Sequence, residues 1–285
     1  MATTFTNQAQ LAYNNVVTNS NIVVGQINSV LTVTKTALSD TYNADGSVTY
    51  IISLVNSGNT ALNGLTVNDN LGSYTFNMQT LYPVTYVTDS LRYFVNGALQ
   101  STPTVNPGPP LSITNVDIPA GANAVIIYQA NPNQYAPRGN SASITNQVSV
   151  SGSGLAAPVT ADDTITADET PELSITKSLS PTTVLENGQL TYTFTIVNTG
   201  TEEVTAGDNA RITDTFDPKL TNITVKFNDT TWADPTNYSY TEGTGEFATV
   251  AGQITVPPAT VAQNPTNGAW IVTPGVSTLT VTGTV

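Results

Sequence analysis

Val48-Thr-Tyr-Ile-Ile-Ser-Leu-Val55 decides the fold, because it recurs 142 residues later as Leu190-Thr-Tyr-Thr-Phe-Thr-Ile-Val197. Both stretches are rich in Thr, Tyr, Ile and Val. Side chains alternate between two faces with a period of two, which is strand composition and strand spacing. Leu31-Thr-Val-Thr-Lys35 and Thr278-Leu-Thr-Val-Thr282 read the same way. Turn signals fall between such runs at Asp45-Gly46, Asn96-Gly97, Pro107-Gly108, Asn187-Gly188 and Pro274-Gly275. No stretch carries an amphipathic helical period, so an all-β chain built of sandwiches is expected.

Working outward, Lys35 matches Lys177, Gly46-x-x-x-Tyr50 matches Gly188-x-x-x-Tyr192, and Val55-Asn-Ser-Gly58 matches Val197-Asn-Thr-Gly200. All three pairs share the offset of 142. Leu65-Thr-Val-Asn-Asp69 matches Arg211-Ile-Thr-Asp214 at an offset of 145, so the second copy carries an insertion between them. The strand at Ala124–Tyr128 resembles Thr278–Thr282. The chain is therefore one sandwich repeated. The expected architecture is two tandem Ig-like Greek-key β-sandwiches, with residues 1–29 as an N-terminal arm, 30–168 as a complete sandwich and 169–285 as an incomplete one.

The set Lys35-Thr, Thr49-Tyr50, Val55-Asn-Ser-Gly58, Val67-Asn-Asp69 and Ile144-Thr-Asn-Gln-Val148 resembles the repeat of bacterial surface proteins catalogued as domain of unknown function 11. That resemblance covers nearly the whole chain. It implies stalk-like Ig-type or prealbumin-like sandwiches in surface proteins, some with Lys–Asn isopeptide bonds.

Composition narrows the chemistry. The 285 residues include no Cys and no His, so disulfides, thiolate nucleophiles and imidazole bases or metal ligands are excluded. Lys and Arg number 7 against 20 Asp and Glu, a net charge of −13 that would repel a phosphate backbone, so no nucleic-acid partner is expected. No run approaches the ~18 apolar residues of a membrane span. No basic n-region with an apolar run marks a secretory signal, so from Met1 the chain is expected not to follow the general secretory route.

The ends do not match the middle. The first copy continues past Tyr128 through Ile144-Thr-Asn-Gln-Val-Ser-Val150 and Val159 to Ile165; the second stops at Val285 after Thr278–Thr282. Yet Phe5-Thr-Asn-Gln-Ala-Gln-Leu11, followed by Ile22-Val-Val24, repeats the Ile144–Val150 pattern ahead of the first copy. Residues 1–29 then read as closing strands without a sandwich. They lead into Leu31 through two or three residues, a reach of at most ~10 Å, and the second copy would lie on the order of 40 Å off. The expected recipient is the second copy of another molecule, entered by Phe5, Ala9, Leu11, Ile22 and Val24. Head-to-tail donation of this kind gives an open filament unless it closes into a ring. A disordered N-terminal tail with the chain cut at Val285, or a piece of a longer tandem array, is the competing reading.

Three polar residues fall at inward positions. Period two aligns Lys35 with Leu31 and Val33, Asp69 with Leu65 and Val67, and Asn146 with Ile144 and Val148. Only four Lys exist, and two share this repeat position. Burial disfavours the ammonium, and a neutral amine can attack the side-chain carbonyl of Asn, with a buried protonated Asp polarising that carbonyl and relaying protons. The expected product is an intramolecular Lys35–Asn146 isopeptide bond assisted by Asp69. Lys177 and Asp214 repeat the phasing, and Asn7 of the arm would supply the missing partner for an intermolecular bond. A buried Lys–Asp ion pair with a hydrogen-bonded Asn remains the alternative.

The rest is weaker. Asp162-Asp163 and Asp168-Glu169 are expected to be solvated linker rather than a Ca²⁺ clamp, and Asp40-x-x-Asn43-x-Asp45-Gly46 a tight hairpin. No metal and no cofactor is expected, and no enzyme beyond single-turnover bond formation. The expected function is a structural subunit of an extracellular appendage on a bacterial cell or spore surface, assembled in a mother cell, with other copies of itself as partners. No residue points to a surface anchor. A tandem stalk or adhesin segment that binds a glycan or protein through its loops is the alternative.

Overall fold

The computed structural model describes residues 2–44, 46–168 and 170–285. Asp45 and Glu169, used above as turn and linker residues, lie outside them. Two compact units form: one holds the residues up to Pro137 with Ser141–Ala167, the other Arg138–Asn140 with the residues from Asp168 onward.

The first unit runs β1 (Ala2–Asn7), β2 (Gln10–Tyr13), β3 (Val16–Asn19), β4 (Val23–Asn28), β5 (Leu31–Ala37), β6 (Thr41–Tyr42), β7 (Val48–Asn56), β8 (Leu62–Asp69), β9 (Tyr74–Phe76), β10 (Gln79–Leu81), β11 (Val84–Tyr86), β12 (Arg92–Val95), β13 (Ala98–Leu99), β14 (Thr104–Asn106), β15 (Leu111–Ile118), β16 (Asn123–Pro132), β17 (Ser143–Ser151) and β18 (Val159–Ala167). The second runs β19 (Leu173–Ser180), β20 (Gln189–Asn198), β21 (Thr213–Thr215), β22 (Thr221–Phe227), β23 (Thr230–Thr231), β24 (Tyr238–Thr241), β25 (Glu246–Thr249), β26 (Thr260–Gln263), β27 (Trp270–Thr273) and β28 (Gly275–Thr284). A single 3₁₀ turn at Ala206–Asp208 falls where the second copy carries its insertion.

In the first unit, one sheet is ordered β13-β12-β16-β7-β5 with β11 also on β16, and the other β14-β15-β8-β17-β18-β6. Period two places Tyr50, Ile52 and Leu54 of β7 against Leu65 and Val67 of β8 in a single core. The closing strands β17 and β18 are part of this sandwich: β17 lies between β8 and β18.

The second unit repeats the first sheet as β19-β20-β28-β22-β23. Its other sheet is β21-β25-β24. Among the described residues, β21 pairs with β25 alone, so the edge that β17 occupies on β8 carries no strand here. The consequence falls on β19. Its counterpart β5 buries Leu31, Val33 and Lys35, whereas Leu173, Ile175 and Leu179 of β19 are exposed.

The arm is one hairpin rather than two separate strands. β1 pairs with β4 and β2 with β3, turning at Asn14-Asn15, both at positive φ as a two-residue hairpin turn requires. Its apolar side chains Phe5, Leu11, Tyr13, Val16 and Val17 are exposed. Asn7 lies opposite Val23 and Phe5 opposite Gly25, while Val24 lies opposite Thr6. Residues directly opposite share a face. The face of Phe5 and Asn7 therefore carries Val23, while Val24 lies on the opposite face and Ile22 precedes β4.

Each unit also buries an Asn at the end of its central strand. Asn56 Nδ2 donates to the carbonyls of Thr60, Ile118 and Pro119 at 2.9, 3.2 and 3.0 Å, and its Oδ1 accepts from Gly58 N at 3.0 Å. Asn198 does the same with Glu202, Pro257 and Gly200. Both are fully buried. Asn56→Ala orphans several of these buried groups at about 1–3 kcal/mol each. Urea unfolding is expected to show the first unit's transition lowered by about 3 kcal/mol, with the second unit's transition unmoved.

Candidate functional site

Lys35 projects from β5 between the two sheets because it continues the Leu31, Val33 face. Asp69 ends β8, and Asn146 lies on β17 beside it. Lys35 is 3% exposed, Asp69 and Asn146 0%. The structure brings all three together, with Tyr128 of β16 at the centre.

Lys35 Nζ donates to Asp69 Oδ2 in a direct ion pair, and to the Tyr128 hydroxyl at 3.0 Å. That hydroxyl donates to Asp69 Oδ2 at 2.6 Å and accepts from Asn146 Nδ2 at 3.1 Å. Asp69 Oδ1 accepts from Leu71 N at 3.0 Å. Asn146 Oδ1 accepts from Gly72 N at 3.3 Å. Stacked rings of Tyr50 and Tyr128, 5.5 Å apart, flank the ammonium at 4.6 and 5.4 Å from its nitrogen. The Tyr50 hydroxyl is buried beside Asn146 without a well-formed hydrogen bond.

Burial pushes the Lys35 ammonium below its usual range, with the attraction of Asp69 opposing it. Burial also holds the Tyr128 phenol well above its usual range, reinforced by the Asp69 charge. Burial thus works against the charged form of each group, the ammonium and the phenolate, while Asp69 supports the ammonium.

The contacts differ from expectation in one respect. Asp69 makes no direct hydrogen bond to Asn146. The carbonyl oxygen is met by the Gly72 N–H and the amide nitrogen by Tyr128, so the polarising donor is backbone. Sequence reading missed Tyr128 and Gly72. It also placed Asp162-Asp163 in a linker, whereas both lie inside β18, where Asp163 accepts from Ala37 N at 2.6 Å and its charge acts on Lys35. The available signal was alternation: Val159, Ala161, Asp163 and Ile165 share a face. Among the described residues, no group of three acidic side chains converges as a metal ligand set.

In the second unit Lys177 pairs with Asp214, over the ring of Tyr192 at 4.3 Å and that of Phe216 at 5.3 Å. Their side chains remain 38% and 20% exposed. The pair is in place while its pocket is open. Asn7, Phe5, Ala9 and Leu11 of the arm are exposed.

No family model and no curated protein matches the chain. Among solved structures it is similar to a point variant of BcpA, the major pilin subunit of Bacillus cereus, at 8% identity over 94% of this chain and 70% of that one, TM-score 0.38. It is also similar to a C-terminal fragment of the major pilin of Streptococcus agalactiae, at 12% identity over 86% of this chain and 91% of that one, TM-score 0.35. The collagen-binding domain of a Staphylococcus aureus adhesin matches at 14% identity over 49% of this chain and 99% of that one, TM-score 0.32.

Lys35 has a measurable signature. In Asn146→Ala the neighbouring amide is gone and Lys35 is an amine. Between its lowered value and the ordinary 10.5, the folded state binds fewer protons than the unfolded state, so stability rises with pH. Buried tyrosines act in the opposite sense only above their unfolded value of 10.0. Denaturant midpoints of Asn146→Ala are therefore expected to climb as pH rises toward 10, and adding Lys35→Met should flatten that slope.

Proposed function

We propose that the protein is a structural subunit of an extracellular filament on a bacterial cell or spore surface. It polymerises head-to-tail, the N-terminal hairpin of one copy completing the second sandwich of the next. Lys–Asn isopeptide bonds lock each sandwich, Lys35–Asn146 within a chain and Lys177–Asn7 between chains.

The observation that carries this reading is the contrast between β5 and β19. One repeat position is closed in the first unit, where β17 and β18 cover it, and open in the second, where Lys177, Leu173 and Ile175 are exposed. The arm has what the open position lacks. It is a preformed hairpin with an Asn on the apolar face of its first strand, as Asn146 is on β17. Adding it as a strand beside β21 would supply main-chain bonds along the edge and side chains for the gap. Each large apolar side chain so buried contributes about 1.5–3 kcal/mol.

The bond itself balances without a cofactor. The Lys ammonium gives a proton to Asp, and the neutral Nζ attacks Cγ of Asn. The Nζ–Cγ bond forms, Asp returns its proton to Nδ2, the Cγ–Nδ2 bond breaks and the nitrogen leaves as ammonia, while the second Nζ proton passes to the Asp carboxylate and departs with the ammonia as ammonium. One ammonia, about 17 Da, is lost per bond.

Electron microscopy of the concentrated purified chain should show fibres whose subunits stay joined after boiling in detergent. Deleting residues 2–27 should abolish the fibres. Lys177→Ala should leave fibres that boil down to monomers. Fibres that persist without the arm would overturn strand donation; a boiling-resistant ladder from Lys177→Ala would overturn the intermolecular bond.

A further inference from the structure

The two sandwiches differ at one group in the pocket. In register, Tyr128 of β16 lies opposite Tyr50 of β7, and Val281 of β28 lies opposite Tyr192 of β20. Tyr50 and Tyr192 are repeat partners, so Val281 occupies the position of Tyr128. Across the pocket the sizes are exchanged. Two residues beyond Asp69 stands Leu71; two beyond Asp214 stands Phe216, stacked on Tyr192 at 4.9 Å. Ring volume is conserved while the hydroxyl is not. Tyr192 keeps a hydroxyl, at the place of Tyr50 and not at the place that bridges acid, amine and amide.

Resting on the isopeptide reading above, we infer that Tyr128 is a catalytic residue of the first sandwich, its hydroxyl relaying the proton between Asp69 and the departing Asn146 nitrogen, and that the second sandwich forms its bond without such a relay. The hydroxyl touches both reacting nitrogens and the acid, at 3.0 Å from Lys35 Nζ, 3.1 Å from Asn146 Nδ2 and 2.6 Å from Asp69 Oδ2. The Asp69 proton, taken from Lys35, passes to the phenol oxygen as the phenol proton passes to Nδ2. Nζ gives its second proton to the Asp69 carboxylate, Cγ–Nδ2 breaks, ammonia leaves, and the phenol ends as it began. Gly72 N–H faces the carbonyl oxygen on which negative charge develops. Among the described residues no hydroxyl bridges Lys177 and Asp214: the rings nearest the ammonium are Tyr192, at the place of Tyr50, then Phe216 and Phe194.

The test follows both bonds in the full chain, synthesised in a cell-free system and quenched over time. Peptide mapping by mass spectrometry distinguishes Lys35–Asn146 from Lys177–Asn7. Tyr128→Phe should slow the first bond by roughly 10²- to 10⁴-fold, the contribution of a positioned acid–base group, and leave the rate of the second unchanged. Equal slowing of both, or of neither, overturns the relay. Should Tyr128→Phe fail to fold, difluorotyrosine at position 128 keeps the ring and alters only the acidity of its hydroxyl. The pH–rate profile of the first bond should then shift, and an unmoved profile overturns the relay. Absence of the Lys35–Asn146 bond from the unmodified chain overturns the isopeptide reading itself, an outcome separate from all of these.

Discussion

A lysine ammonium inside a β-sandwich is the constraint on which the rest of the structure turns. Removing a charge from water costs several kcal/mol even after relaxation. Lys35 meets that cost with an ion pair to Asp69, two aromatic faces and a hydroxyl. None of this works unless the pocket is sealed, and the seal is β17 with β18. The strand that closes the sandwich is also the strand that delivers Asn146. On the proposed reading, closure and chemistry are thus one event in the first unit: the strands that shed water from around Lys35 also bring the Asn146 amide beside it.

The second unit shows the same constraint unmet. Lys177 and Asp214 keep their pairing, yet solvent reaches both. On the proposed reading, chemistry at this site waits for the neighbour's hairpin, because the hairpin excludes the water that protects the lysine. A free subunit would then be chemically quiet in its second sandwich, and reactivity would be switched on by assembly.

Much of this was legible in sequence because period two is a strong rule. It placed Lys35, Asp69 and Asn146 inward from their apolar neighbours alone, and the repeat carried the first two to Lys177, at an offset of 142, and Asp214, at an offset of 145. Tyr128 escaped because an inward aromatic on a strand reads as core, and where its hydroxyl goes depends on which strands lie across the sheet. Asp163 escaped for a different reason. A pair of acids near a domain link looks solvated, and only the alternation through Val159, Ala161 and Ile165 reveals a strand. Val24 illustrates a third reason: the register of the Asn14-Asn15 turn, continued to β1, would set Val24 opposite Phe5, and a one-residue shift between the β2–β3 and β1–β4 pairings sets Val23 opposite Asn7 instead. Alternation fixes faces within a strand; a bulge changes which face a partner strand presents.

The exchange of Leu71 and Tyr128 for Phe216 and Val281 bears on why two pockets of one repeat diverge. Packing asks only that the ring volume be filled, and either strand can provide the ring. Chemistry asks for a hydroxyl at one point in the pocket, and only the β16 position provides it. On the proposed reading, the first sandwich closes on its own strands, and a relay-assisted bond there removes the buried charge permanently. In the second sandwich, a bond formed without the relay would leave the docked hairpin free to dissociate and re-register before it is fixed. A reversible docking step followed by slow locking selects the correctly seated strand, because a mis-seated one brings no amide to Lys177.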